Sequence, residues 1–119
     1  LTHLTKNMIG RKQLLSMKPD AIIINTSRGG IINEHDLYEV MLSGHLSGAA
    51  IDVFEKEPYD GPLKEIERCL LTAHMGSMSV DCRTRMEIES TEETIRFLTG
   101  EQLEREVPIY EYEVQREGL

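Results

Sequence analysis

The sequence predicts an α/β fold: half of a doubly wound parallel sheet, followed by a long C-terminal helix. Three observations carry that prediction. Short apolar runs suited to buried strands recur at 21–25, 48–54 and 69–73. Segments with helical spacing of apolar residues separate and flank them, the alternation expected of a parallel sheet with crossover helices. Right-handed crossovers then make the strands parallel. The 119 residues suffice for one domain with a moderate core.

Taken in order, "MIGRKQLLSM" predicts a short helix over 8–17, stopped at Lys18-Pro19 because proline cannot continue it. "AIIIN" predicts a strand at 21–25 that is covered on both faces, and it opens into "TSRGG". Gly29 and Gly30 permit backbone conformations closed to other residues and let a ligand approach the chain. Asn33 is placed to cap a helix over 34–43, with Asp36 as a capping-box-like partner. Leu37, Val40 and Met41 supply its apolar face and Gly44 its stop. "GAAIDVF" predicts a second buried strand over 48–54, whose small residues leave room for a closely packed helix. A loop follows with one helical turn near Leu63 and Ile66, and "CLLTA" predicts a third strand at 69–73. Ser79 caps the longest helix, over 80–98, with an apolar stripe of Val80, Thr84, Ile88, Thr91, Ile95 and Leu98. Gly100 ends it. The final stretch alternates around Val107, Ile109, Tyr110, Tyr112 and Val114, which predicts an extended arm with a frayed end.

Composition narrows the function classes. With 21 acidic against 13 basic residues the net charge is −8, which offers no electrostatic footprint for nucleic acid or an anionic membrane. No stretch reaches the length of a transmembrane helix, and no basic-then-apolar leader precedes the first helix. Cys69 and Cys82 fit no metal-ligand or redox spacing and read as buried reduced thiols, so a cytoplasmic location and no metal site are expected. The chain opens at Leu1 on the polar "LTHLTKN", which reads as a piece starting inside a longer protein.

Four polar side chains stand where structure alone does not need them. Arg28 follows the first strand, Asp52 interrupts the apolar second strand, Glu57 lies five residues on, and His74 follows the third. Taken singly, a surface arginine or a loop histidine is the commoner reading. Parallel strands align their carboxyl ends, however, so all four converge on the edge where open α/β sheets bind ligands. A carboxylate beside an imidazole favours the protonated ring, which is a general acid for a carbonyl oxygen; the neutral ring is a base for an alcohol. An arginine fork holds a carboxylate through two hydrogen bonds. Together these groups describe a site for a 2-keto or 2-hydroxy acid.

"INTSRGG", "DVFEKEP" and "TAHMGS", in this order and spacing, resemble the D-isomer-specific 2-hydroxyacid dehydrogenases, the family that includes D-3-phosphoglycerate dehydrogenase. The similarity runs from "LTHLTKNMIG" to about Gly100. The resemblance implies a Rossmann-type domain, NAD as cofactor, and a small 2-hydroxy or 2-keto acid as substrate, 3-phosphoglycerate being the commonest candidate. It assigns Arg28 to the substrate carboxylate, His74 to proton transfer and Glu57 to orienting His74. It also assigns cofactor contacts to Thr26, Ser27, Arg28 and Asp52, and to the loop His74, Met75, Gly76 and Ser77. By the same resemblance residues 1–78 are the C-terminal half of the NAD-binding domain, 79–100 a helix leading back toward an absent substrate domain, and 101–119 a tail. A homodimer is expected of the full-length protein. Ala73 stands where the family usually has proline, and no G-x-G-x-x-G occurs in the chain, so the pyrophosphate turn is expected upstream. An NAD-sensing corepressor of the same superfamily is the alternative. Glu57 argues against formate dehydrogenases, which pair the histidine with glutamine.

Overall fold

In a computed structural model of the protein, residues 1–116 are described; they fall into two compact units, residues 1–75 and residues from 76 onward. The first unit holds α1 (Arg11–Ser16), β1 (Ile22–Asn25), α2 (Glu34–Ser43), β2 (Gly48–Ile51), a 3-10 turn (Pro62–Glu65) and β3 (Cys69–Leu71). The strands form one sheet in the order β1-β2-β3, every pair parallel, with Ile22 opposite Gly48 and Ala49 opposite Cys69. This is the α/β architecture that the alternating pattern predicts.

Local chemistry sets the helix limits. Asn33 accepts the Asp36 N–H at 3.0 Å, and Gly44 closes α2 in the left-handed region at φ 76°. The Asp36 carboxylate does not complete a capping box. It accepts the Arg11 N–H at 2.8 Å, so one acid in the first turn of α2 caps the start of α1 instead. α1 is shorter than the predicted 8–17 because Ile9 is taken up in an extended bridge beside Ile32, its N–H bonded to Ile31 and its carbonyl to Asn33. The long-range bridge wins over local helical spacing.

Leu14, Leu37, Val40, Met41 and Leu46 join Ile23, Ala49 and Ile51 in one core. Each fully buried leucine or methionine there stabilises the fold by about 1.5–3 kcal/mol relative to exposure. β1 is not covered on both faces in this chain. Ile23 and Asn25 point into the core, whereas Ile22 and Ile24 are 63% and 66% exposed. An all-apolar strand hides its period of two, so only packing reveals which face is covered. Arg68 fastens the sheet to α2 by donating to the Met41 carbonyl at 3.0 Å and the Leu46 carbonyl at 2.7 Å. The ladder of β2 ends at Ile51 and that of β3 at Leu71, releasing Asp52–Phe54 and Thr72–Ala73 into loops. Cys69 and Cys82 are free and half-buried rather than buried, and desolvation pushes the Cys69 thiol up.

In the second unit α3 spans Val80–Thr99, with Ser79 accepting the Cys82 N–H at 3.1 Å and Gly100 ending it at φ 75°. None of its residues is buried, and Val80 and Leu98 of the apolar stripe are 80% and 76% exposed. Glu93 accepts the backbone N–H groups of Glu104 and Arg105, and Arg105 pairs with Glu89, folding residues 101–105 back along α3. The predicted extended arm is instead a helix, α4 (Ile109–Arg116). An extended arm needs a partner strand for its backbone groups, whereas a helix satisfies them within itself. Glu111 in the first turn and Arg116 in the last also suit the helix dipole. The frayed end expected at the terminus lies outside the described residues.

Candidate active site

Asn25, the last residue of β1, is buried and shapes the turn that carries Arg28. Its amide donates to the Arg28 carbonyl at 3.0 Å, and its Oδ1 accepts from both the backbone N–H and the hydroxyl of Ser27. Thr26, Ser27 and Arg28 are thereby held exposed beyond the strand end. Sequence reasoning missed Asn25 as a site residue, although an amide closing an all-apolar run is the signal that could have found it.

The two glycines that follow are needed for different reasons. A Cβ on Gly29 would lie 2.0 Å from the carbonyl carbon and oxygen of Phe54, so the chain's own backbone, rather than a ligand, makes the close approach. Gly30 sits at φ 77°. Gly29→Ala must push apart the loops carrying Arg28 and Glu57. A loss of about 3 kcal/mol in denaturant-derived stability is expected, the upper range for overpacking. A loss below about 1 kcal/mol would mean that the two loops separate at little cost.

Asp52 is buried at the end of β2, where an unsatisfied carboxylate is costly. Its Oδ1 accepts the Thr72 hydroxyl at 2.5 Å and the Met75 N–H at 2.8 Å, while its carbonyl accepts the His74 N–H at 2.8 Å. These bonds clamp the loop after β3 and hold His74 in the left-handed region at φ 53°, a conformation costing about 1–2 kcal/mol for a residue with a Cβ. Thr72, also missed from sequence, is the hydroxyl partner that makes the buried acid tolerable.

Glu57 joins the loops. Its Oε1 accepts the Phe54 N–H at 3.1 Å and its Oε2 meets His74 Nδ1 at 3.0 Å. The backbone N–H of Phe54 first, and the His74 ring second, hold the Glu57 carboxyl below the usual glutamate range. An ionised carboxylate only accepts, so Nδ1 carries the proton and Nε2 is the atom left to exchange one. Phe54 and Tyr59 stack with ring centroids 4.2 Å apart and bracket the loop in which Glu57 sits. Glu34 of α2 accepts the Glu55 N–H at 2.7 Å from beneath, and burial pushes its carboxyl up.

Arg28, Glu57 and His74 line one cleft of about 470 Å³, together with Lys6 and Glu55. An apolar recess of about 430 Å³, walled by Tyr59, Leu71 and Ala73, shares Glu57 and His74 with it. Asp52 forms part of the loop scaffold. Met75 is exposed at the end of the first unit, while Gly76 and Ser77 belong to the second. On α2 the ligand atoms of His35, Asp36 and Glu39 lie within 4.8 Å of one another, but Arg11 already engages both acids.

The fold and cleft define a parallel α/β domain with an oriented imidazole and an arginine at its carboxyl edge. Residues 1–76 match the family described as D-isomer specific 2-hydroxyacid dehydrogenase, NAD binding domain, and the chain belongs to that family. It is 43% identical over 103 residues to a glyoxylate reductase of Korarchaeum cryptofilum, covering 85% of this chain and 31% of that protein. To a D-3-phosphoglycerate dehydrogenase of Methanocaldococcus jannaschii it is 39% identical over 108 residues, covering 90% and 21%. The crystal structure of a glyoxylate reductase from Paecilomyes thermophila superposes with a TM-score of 0.86 at 32% identity, over 91% of this chain and 33% of that one. The chain thus spans a third or less of the length of these relatives. These relatives are named as reductases or dehydrogenases, not as corepressors. No helix among the described residues is long and apolar enough to cross a membrane.

Proposed function

We propose that this chain supplies the acid–base half of an NAD-dependent D-2-hydroxyacid dehydrogenase, acting on a small 2-hydroxy or 2-keto acid. The observation that carries the reading is the Glu57–His74 pair at 3.0 Å, lining the same cleft as Arg28. Arg28 holds the substrate carboxylate in its fork. His74, with Nδ1 held by Glu57, gives a proton from Nε2 to the carbonyl oxygen in reduction and takes one from the hydroxyl in oxidation. Glu57 touches neither partner and acts by orienting the ring.

The residues present fit the nicotinamide end of the cofactor. The exposed turn Thr26–Arg28 and the Asp52-clamped loop of His74 and Met75 both follow the carboxyl ends of parallel strands, where such sheets take nucleotides, and Arg28 and His74 line one cleft there. Gly76 and Ser77 continue that loop, and the chain has no G-x-G-x-x-G to hold a pyrophosphate. When bound, NAD supplies or accepts the hydride. In the same reading residues 1–78 are the C-terminal half of the nucleotide domain, 79–100 the connecting helix and 101–119 a tail. The full-length enzyme is a cytoplasmic homodimer.

NADH oxidation by the full-length protein is the test, with glyoxylate, hydroxypyruvate and 3-phosphohydroxypyruvate as substrates. At least one is expected to be reduced to the D-hydroxy acid. Failure with all three, in protein that binds NADH, overturns the enzyme reading.

A further inference from the structure

We propose that Tyr59 is a positioning residue for the Glu57–His74 pair: its ring backs Phe54, whose N–H holds the carboxylate that orients the imidazole. The inference rests on the reading of His74 as the acid–base group. It adds a residue that lies just beyond the "DVFEKEP" motif.

The pair needs support from its surroundings. The side chains of His74 and Glu57 are 46% and 39% exposed, and an ion pair open to water contributes little by itself. The geometry has to come from what holds Glu57, and that is Phe54. The Phe54 N–H donates to Glu57 Oε1 at 3.1 Å and is the first cause of the low-lying carboxyl, ahead of the imidazole. Phe54 is itself buried and held at two points. The glycine turn bears on its backbone, so close that a Cβ on Gly29 would stand 2.0 Å from the Phe54 carbonyl. The Tyr59 ring bears on its side chain, with centroids 4.2 Å and planes 21° apart.

Tyr59 is in turn anchored at its far end. Its hydroxyl accepts the N–H of Leu63, a fully buried residue of the 3-10 turn, at 3.2 Å. Gly61 leaves room for that hydroxyl: a Cβ there would stand 2.2 Å from Tyr59 Oη and 2.4 Å from Cζ. Gly61 has φ −102°, which any residue adopts, so the tyrosine rather than the backbone calls for glycine. Tyr59 also walls the apolar recess that contains Glu57 and His74. One chain of contacts thus runs from the buried Leu63 through two stacked rings to the carboxylate and the imidazole.

Two variants of the full-length protein disturb the ring by different routes. Tyr59→Leu removes it, and Gly61→Ala pushes it aside while leaving it in the chain. Each is expected to lower kcat about three- to tenfold, the worth of one aromatic stack, with KM within about twofold of the parent. Tyr59→Phe keeps the stack and should keep the rate within about twofold. In the Tyr59→Leu background Gly61→Ala should add nothing, because the atoms its Cβ would meet belong to the tyrosine. The second readout needs no turnover: nitrogen NMR of the neutral His74 ring, assigned by its loss in His74→Ala. The bond to Glu57 fixes the proton on Nδ1 in the parent, and in Tyr59→Leu and Gly61→Ala the ring should move toward the Nε2–H form. Parent-like kinetics and tautomer in these two variants, or a slower rate with the tautomer unchanged, overturns the proposal. A tautomer that follows Tyr59 in a protein without turnover counts against the dehydrogenase reading alone. Turnover indifferent to Tyr59 counts against Tyr59 alone.

Discussion

His74→Ala in the full-length protein, on the proposed dehydrogenase reading, is expected to lower turnover by about 10²–10⁴-fold, the usual worth of general acid–base catalysis. Cofactor affinity should change far less, because the loss falls on proton transfer. Glu57→Gln then separates orientation from proton transfer. The amide keeps one oxygen, which can still accept the Phe54 N–H and hold the loop, but it turns its NH2 toward Nδ1, so the ring loses its acceptor together with the negative charge. Turnover is expected to fall in both directions while cofactor affinity is kept, because the ring loses the partner that aims its Nε2. The Glu57 carboxyl is held below the usual glutamate range, by the Phe54 N–H first and the ring second, so it keeps its charge to lower pH than an ordinary glutamate. The measurement is the rate in each direction, with cofactor affinity beside it, for parent and variant. Rates equal to the parent would remove Glu57 from control of the ring.

Arg28→Lys should cost about 2–4 kcal/mol of transition-state stabilisation, the scale of a charge-assisted bidentate contact. The substitution keeps the positive charge and discards the fork. It also keeps the turn, which Asn25 shapes through the backbone carbonyl of residue 28 and the Ser27 N–H and hydroxyl rather than through the arginine side chain. A deficit in kcat/KM can therefore be assigned to lost geometry at the carboxylate. The comparison should be made across acids that share the carboxylate and differ beyond it. A uniform deficit locates Arg28 at the shared group. Kinetics equal to the parent would return Arg28 to an ordinary loop arginine.

Local signals in the chain are strong where the chemistry is local. Asn33 and Gly44 bound α2, and Ser79 and Gly100 bound α3, because a cap is made by a side chain or a glycine within a few residues of the end it serves. The order of elements and the parallel sheet were legible for a related reason, since alternating elements with right-handed crossovers leave few alternatives. The convergence of Arg28, Glu57 and His74 on one cleft followed from the same topology. Alternation misled over 109–116, where it predicts an extended arm and the chain forms a helix, which satisfies its backbone groups within itself.

What remained hidden depends on partners distant in sequence. Asp36 looks like a member of its own helix cap, yet its carboxylate serves Arg11, 25 residues away. Gly29 looks like an opening for a ligand, yet the Phe54 backbone occupies that space. Thr72 and Asn25 look like ordinary strand-end residues until the buried carboxylate and the Ser27 turn appear beside them. The sequence by itself determined the elements, their parallel order and the edge at which the polar residues gather, because caps, periods and crossover handedness act over short separations. Only the tertiary structure decided which polar groups face solvent and which are spent on holding the loops. A buried carboxylate or a close backbone approach is set by whichever distant atoms pack against it, and no local pattern encodes them.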